Sequence, residues 1–177
     1  MSKKLRLAEI TQNEFVKVFK MEAEDELEKL NWIYLQPHRH SVLVAPITDD
    51  GKLLLIRHYR HPQQRTFWEF PGGAVEKSET ALQAAQRELV EETGHVSKQY
   101  ETLFYGYDRA SVLNSPLILY VATNCEAMRA PIPDKNILDY KALKLREILD
   151  LKEPRMCWID MFVGMMQGAE RYKKLLI

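Results

Sequence analysis

The sequence predicts a layered α/β domain, and three observations carry that reading. Short β-rich apolar runs occur at residues 41–47, 53–56 and 117–122. A helix with caps written at both ends falls between them, over 80–93. A second amphipathic pattern closes the chain from Met156. Strands on both sides of one central helix, with another helix last, bury their apolar faces only by stacking in layers.

Taken in chain order, residues 14–21 and 30–35 carry aromatic and β-branched side chains on either side of an acidic stretch, 22–28. They read as a small antiparallel strand pair with a solvated connection, with a short helix over 24–30 as the alternative. The run 41–47 (SVLVAPI) ends at the turn signal Asp49-Asp50-Gly51, and 53–56 then predicts a hairpin. Pro71-Gly72-Gly73 breaks the chain. Thr80 and Gln83 have capping-box spacing, and Gly94 stands where a helix C-cap belongs. Residues 117–122 (LILYVA) read as a buried strand. Met156, Ile159, Phe162, Val163 and Met166 recur at helical spacing after Pro154, as in a helix packed on a core. The organisation expected is an N-terminal strand element over 1–40 and a main domain over 41–177.

Composition narrows the function classes. The 177 residues hold 25 Lys plus Arg and 25 Asp plus Glu, a formal net charge of zero. No basic field marks a nucleic-acid binder, so affinity for an anion must be local. No apolar run is long enough to span a bilayer, and no signal peptide is expected at the N-terminus. Cys125 and Cys157 lack metal or redox spacing and read as packed, reduced thiols of a cytoplasmic protein. The histidines near 38–40 and 58–61 read as surface residues.

The chemistry lies between Gly73 and Gly94. On a helix, Glu88, Glu91 and Glu92 share one face, and Leu82, Ala85 and Leu89 share another that can pack on a sheet. Like charges so close repel, and Arg87, with Glu79 placed to pair with it, relieves only part of that. Hard oxygen donors of this kind suit magnesium or manganese and argue against zinc.

This segment resembles the Nudix signature, Gly-x5-Glu-x7-Arg-Glu-U-x-Glu-Glu-x-Gly-U, where U is bulky and aliphatic. Gly73, Glu79, Arg87, Glu88, Glu91, Glu92 and Gly94 match, and Leu89 fills the first U. A chance match at a given start is about 10⁻⁹ at average residue frequencies. The last U position holds His95. The resemblance implies the Nudix fold, an α/β/α sandwich around a mixed sheet. Arg57-His58-Tyr59-Arg60 and Trp68-Glu69-Phe70-Pro71-Gly72-Gly73 are similar to the branch that hydrolyses ADP-ribose and nucleoside diphosphate sugars.

The resemblance further implies Mg2+ or Mn2+ held by Glu88, Glu91, Glu92 and the Gly72 carbonyl. Glu91 and Glu92 would act in catalysis, and Glu79 and Arg87 would hold the loop to the helix. Arg60, Glu69 and Trp32 would contact substrate, and the N-terminal strands would pair two subunits into a homodimer. The branch's loop glutamate before 117–122 is missing. Asp108 is the carboxylate of that loop and the candidate water-activating base, with Glu91, Asp134 and Asp139 as alternatives. The implied activity is hydrolysis of the diphosphate linkage in a small nucleoside diphosphate derivative. Another Nudix diphosphatase, or a non-catalytic domain that senses nucleotide sugars, remains open.

Overall fold

A computed structural model describes residues 4–24, 29–107, 109–132 and 135–168. The N-terminal strands form an antiparallel sheet of β1 (Lys4–Gln12), β2 (Val16–Glu24) and β3 (Lys29–Pro37), ordered β1-β2-β3. The Asn13 side chain accepts from the N–H groups of Phe15 and Val16, both at 2.8 Å, and so builds the β1–β2 turn. The expected pair is therefore a three-stranded sheet. In the extra strand the side chains from Ala8 to Gln12 are exposed.

The main sheet contains β4 (Ser41–Thr48), β5 (Leu53–Arg60), β6 (Arg65–Glu69), β7 (Gly72–Ala74), β8 (His95–Val96), β9 (Gln99–Gly106), β10 (Leu117–Ala127) and β11 (Ile137–Leu143). Its path is β11-β5-β4-β10-β8, with β6 on β5, β7 on β4 and β9 on β10. Among the described strands of this sheet only β10 and β4 pair in parallel, so the sheet is mixed. The predicted hairpin strands β4 and β5 meet at Ile47 and Leu53, around a turn with Gly51 at φ 75°. Beyond that pair they diverge, and β7 and β6 take up their free edges.

Helix α1 (Ala81–Thr93) lies on one face of the sheet. Helices α2 (Leu145–Leu149) and α3 (Cys157–Gly168) lie on the other. The strand period of two divides the apolar residues between these layers. Val42, Val44, Leu54 and Ala122 join Ala84, Ala85 and Leu89 of α1. Ala45, Ile47, Leu53, Leu55, Leu119 and Val121 join Ile148, Ile159, Phe162, Val163 and Met166. This is the α/β/α sandwich. One helical position departs from expectation, since Leu82 is 39% exposed while Ala84 is buried. The small Ala84–Ala85 pair lets the helix sit close to the sheet. Cys125 is buried, which pushes its thiol up to about 12, but Cys157 is exposed rather than packed. No helix among the described residues is long and apolar enough to cross a membrane.

The caps of α1 read as the sequence predicts. Thr80 accepts from the Gln83 N–H at 3.3 Å and Gln83 accepts from the Thr80 N–H at 2.8 Å. Gly94 has φ 72°, donates its N–H to Val90 O at 3.0 Å, and accepts from Met128 and Arg129. A Cβ at Gly94 would lie 2.0 Å from Arg129 O, so left-handed strain and a backbone clash add. Gly94→Ala is expected to lower the unfolding free energy by about 2–4 kcal/mol, against about 1 kcal/mol for Thr80→Ala. Urea denaturation followed by circular dichroism measures both, and equal small losses would refute the cap assignment at Gly94.

Candidate functional site

The acidic face of α1 is organised around one guanidinium. Arg87 donates from Nε and Nη2 to the two Glu79 oxygens, at 3.1 and 2.8 Å. Its Nη1 reaches Glu88 Oε1 at 2.8 Å and Glu91 Oε2 at 3.1 Å, and Nη2 also reaches Ala74 O at 3.2 Å. Arg87 thus joins the helix to the segment between β7 and α1. This bond to Arg87 holds the Glu79 carboxyl below its ordinary range, helped by the Glu76 N–H. Glu79, first of all, raises the Arg87 guanidinium in turn. Glu91 is the most open of the group, with 38% of its side chain exposed.

Glu88 and Glu92 lie deeper, one helical turn apart. Burial raises Glu88 above the usual carboxylate range, although Arg87 opposes it. Burial pushes Glu92 up to about 8, against the Gly72 N–H bond and the Arg60 charge, which lower it. The Gly72 N–H donates to Glu92 Oε2 at 2.8 Å, so Gly72 meets this carboxylate through its amide. Two glycines make the close approach possible. A Cβ on Gly73 would fall 2.2 Å from Glu88 Oε1, and one on Gly72 would fall 2.2 Å from Val42 O.

The donor set is entirely oxygen, part buried at a cost that a divalent cation would offset, and in that respect it fits a hard metal ion. Among the described residues no three acidic, histidine or cysteine side chains converge on one point as they stand. Arg87 holds Glu88 and Glu91, and the Gly72 amide holds Glu92.

A cavity of about 670 Å³ opens beside this face, lined on its loop side by Gly72, Gly73 and Ala74. Arg60 and Glu69 line it too, as a bidentate pair across β5 and β6. Arg60 Nε donates to Glu69 Oε1 at 2.8 Å and Nη2 donates to Oε2. Glu69 is 5% exposed, and its bond to Arg60 raises the guanidinium above its ordinary value. His58 lies on the same strand face, half-buried, with Nδ1 3.9 Å from Glu69 Oε2. It corrects the expectation of a surface histidine. His95, after α1, is half-buried, and its ring lies 6.1 Å from that of Tyr140. His38, His40 and His61 are exposed.

Other predicted residues do not join the cavity. Trp32 stands on β3, 39% exposed, and is not among the lining residues. Its placement in the separate small sheet is the physical reason. Tyr34 stacks on Phe19 at 5.2 Å. Asp139 is exposed on β11 and accepts from the Tyr140 N–H. Asp108 and Asp134 lie outside the described residues. The lining residues that sequence reasoning missed include Gln63, Phe67, Arg109, Leu113, Met156 and Trp158. These six come from three separated segments, and nothing in their spacing marks them as neighbours.

Comparison with known proteins agrees with this architecture. A family model described as NUDIX domain matches residues 37–159. The chain is 28% identical over 120 residues to an ADP-ribose pyrophosphatase of Bacillus subtilis (strain 168), covering 67% of this chain and 65% of that protein. It is 32% identical over 122 residues to a methanol dehydrogenase activator of Bacillus methanolicus, covering 67% and 66%. The chain thus spans just under two thirds of the length of these two relatives. A crystal structure of an ADP compounds hydrolase has the same fold, with a TM-score of 0.76, 19% identity and 97% of each chain covered. With more than half of its length matched by the family model, in the same region that builds the sandwich and the acidic helix face, this chain belongs to the Nudix family.

Proposed function

We propose that this chain is a metal-dependent hydrolase of the diphosphate linkage in ADP-ribose or a nucleoside diphosphate sugar, releasing a nucleoside monophosphate and a sugar phosphate. The observation that carries the proposal is the pair of half-buried carboxylates, Glu88 and Glu92, packed against Gly72 and Gly73, which line a cavity whose wall bears Arg60. Similarity to an ADP-ribose pyrophosphatase supports the substrate class.

In this reading Glu88, Glu91, Glu92 and the Gly72 carbonyl hold magnesium or manganese. When bound, that ion supplies positive charge to the diphosphate and polarises the attacking water. Arg60 binds the phosphate chain. Its Nε and Nη2 are committed to Glu69, so a phosphate oxygen takes Nη1, and the Glu69 pair keeps the guanidinium plane from turning. Arg87 does not touch substrate; it fixes Glu79, Glu88 and Glu91 relative to the loop. Water adds to one phosphorus, the bridging P–O bond breaks, and the water's proton passes to a carboxylate, Asp108 or Glu91.

Incubation with magnesium and a panel of UDP-, GDP- and ADP-sugars, ADP-ribose, coenzyme A and nucleoside triphosphates tests the substrate class. Monophosphate plus sugar phosphate is the expected product pair, and pyrophosphate released from triphosphates as the main reaction overturns it. Tight binding without turnover in any divalent metal would leave a sensor instead. Asp108→Asn is expected to lower kcat by roughly 10²–10⁴-fold at unchanged KM. An unchanged kcat transfers the proton to Glu91.

Glu92→Gln is expected to remove most turnover while keeping the fold. The same residue makes metal-free stability depend on pH. Its folded value, about 8, lies above the ordinary carboxylate value, so the folded protein binds a proton that the unfolded chain has released. That contribution is complete below the ordinary carboxylate range and is lost as pH rises to about 8. In EDTA the wild-type Tm should therefore fall between pH 5 and 8, and magnesium should restore it. Glu92→Gln should flatten the slope and raise the Tm at pH 8 by roughly 2–8 °C. Differential scanning calorimetry reads this, and parallel Tm curves for the two proteins would show that Glu92 is not buried as described.

A further inference from the structure

Beside the Arg60–Glu69 pair stands an ionisable ring that the chemistry described so far does not use. β5 is buried from Leu53 to Ile56 and half-buried from Arg57 to Arg60, where it leaves the core. Paired residues of β5 and β6 share a face, so Ile56 and Glu69 form one row, His58 and Phe67 the next, and Arg60 and Arg65 the third. The rows of Arg60 and Glu69 are four residues apart, about 13 Å along the strands. Arg60 nevertheless meets Glu69 through both Nε and Nη2, so its side chain lies back across the row that holds His58. His58 is enclosed beside the pair, with 17% of its side chain exposed against 43% for Arg60. Its Nδ1 lies 3.9 Å from Glu69 Oε2, the oxygen that accepts from Arg60 Nη2. That distance is too long for a hydrogen bond and short enough for an ion pair once the ring takes a proton.

We propose that His58 is a positioning residue for the Arg60–Glu69 pair, and that its protonation turns the guanidinium from a neutralised wall group into a phosphate clamp. The inference rests on the reading above in taking Arg60 to meet the phosphate chain. While the ring is neutral, the Glu69 carboxylate balances the Arg60 charge, and an incoming anion meets a pair with no net charge. A protonated ring makes the trio cationic and competes for Glu69 Oε2, which leaves Nη2 as well as Nη1 to the ligand. The ordinary titration of imidazole places this change between pH 5 and 8. Arg60 of β5 and Glu69 of β6 stand beside the ring, and Glu92 of α1 is near enough to feel both of their charges. Opposite His58 on the neighbouring strands are Phe67 and Ile137, which carry no charge, and Asp139 of β11 pairs with Arg57 beyond a register shift. Arg57 itself, 4.0 Å from Glu153, alternates to the other face of β5, and the exposed His61 ring meets Asn136. Glu69 thus favours the protonated ring and Arg60 opposes it. A bound phosphate chain adds negative charge at Arg60 and favours the proton, so by linkage acid strengthens anion binding.

Imidazole resonances of the ¹⁵N-labelled, EDTA-treated full chain, with His58 assigned from the His58→Gln spectrum, test this across that pH range. Sulfate and ADP-ribose serve as ligands, because neither changes charge there. Each should raise the titration midpoint of the His58 ring in the wild type, and Glu69→Gln should lower it in the free protein. In parallel isothermal titrations, acidification from pH 7.5 to 5.5 should tighten ADP-ribose binding by roughly 3–10-fold more in the wild type than in His58→Gln. The variant retains Glu88 and Glu92, so the difference between the two profiles isolates the ring, and thermal melts establish that each variant is folded. A His58 midpoint unmoved by both ligands, or unmoved by Glu69→Gln, overturns the proposal, as do equal pH profiles for the two proteins. Failure of ADP-ribose to bind, with the sulfate response of His58 intact, would sink the substrate reading and leave the His58 assignment standing.

Discussion

The convergence of Glu79, Glu88 and Glu91 on the Arg87 guanidinium is the interaction on which the rest of the site depends. A helix carrying carboxylates three and four residues apart on one face is destabilised by their repulsion. Arg87 offsets that repulsion with bonds to all three and adds one to Ala74 O, so the charge balance also joins loop to helix. Compensation is incomplete at depth. Burial still raises Glu88, and raises Glu92 further, because Glu92 has a backbone amide and no guanidinium in contact. The site is therefore held under electrostatic strain that a cation would relieve.

Close packing around small residues makes that arrangement possible. Ala84 and Ala85 bring α1 down onto β4, β5 and β10, where Val42, Val44, Leu54 and Ala122 fill the interface. Gly72 and Gly73 let β7 pass between β4 and the helix, with no room for a Cβ at either position. A larger side chain on either surface would separate the loop from the carboxylates.

The cavity wall, by contrast, is assembled from segments that share no local order. β6 contributes Phe67 and Glu69, β5 contributes Arg60, and the start of α3 contributes Met156 and Trp158. The loop before β10 contributes Arg109 and Leu113. That loop is tied to the N-terminal sheet, since Leu35 donates to Val112 O and accepts from the Asn114 N–H, both at 2.7 Å. The small sheet thus reaches the cavity through main-chain bonds to its lining loop.

The sequence by itself determined helix α1, its caps, the carboxylate face and the family, because each is a local pattern with helical spacing or left-handed backbone demand at a named residue. It also marked the buried strands β4, β5 and β10 and the apolar stripe of α3, whose periods match the layers they pack against. It missed β1, whose side chains from Ala8 to Gln12 are exposed, and placed Leu82 in the core where the helix rotation puts Ala84. It grouped Trp32 with the substrate contacts, and that residue, on β3, is not among those that line the cavity of its own chain. Only the tertiary structure decided that Arg60 is locked to Glu69, and that Phe67 and Trp158 line one cavity. Those neighbours are separated by up to 91 positions, and no rule of spacing along a chain records which strands and helices meet across a fold.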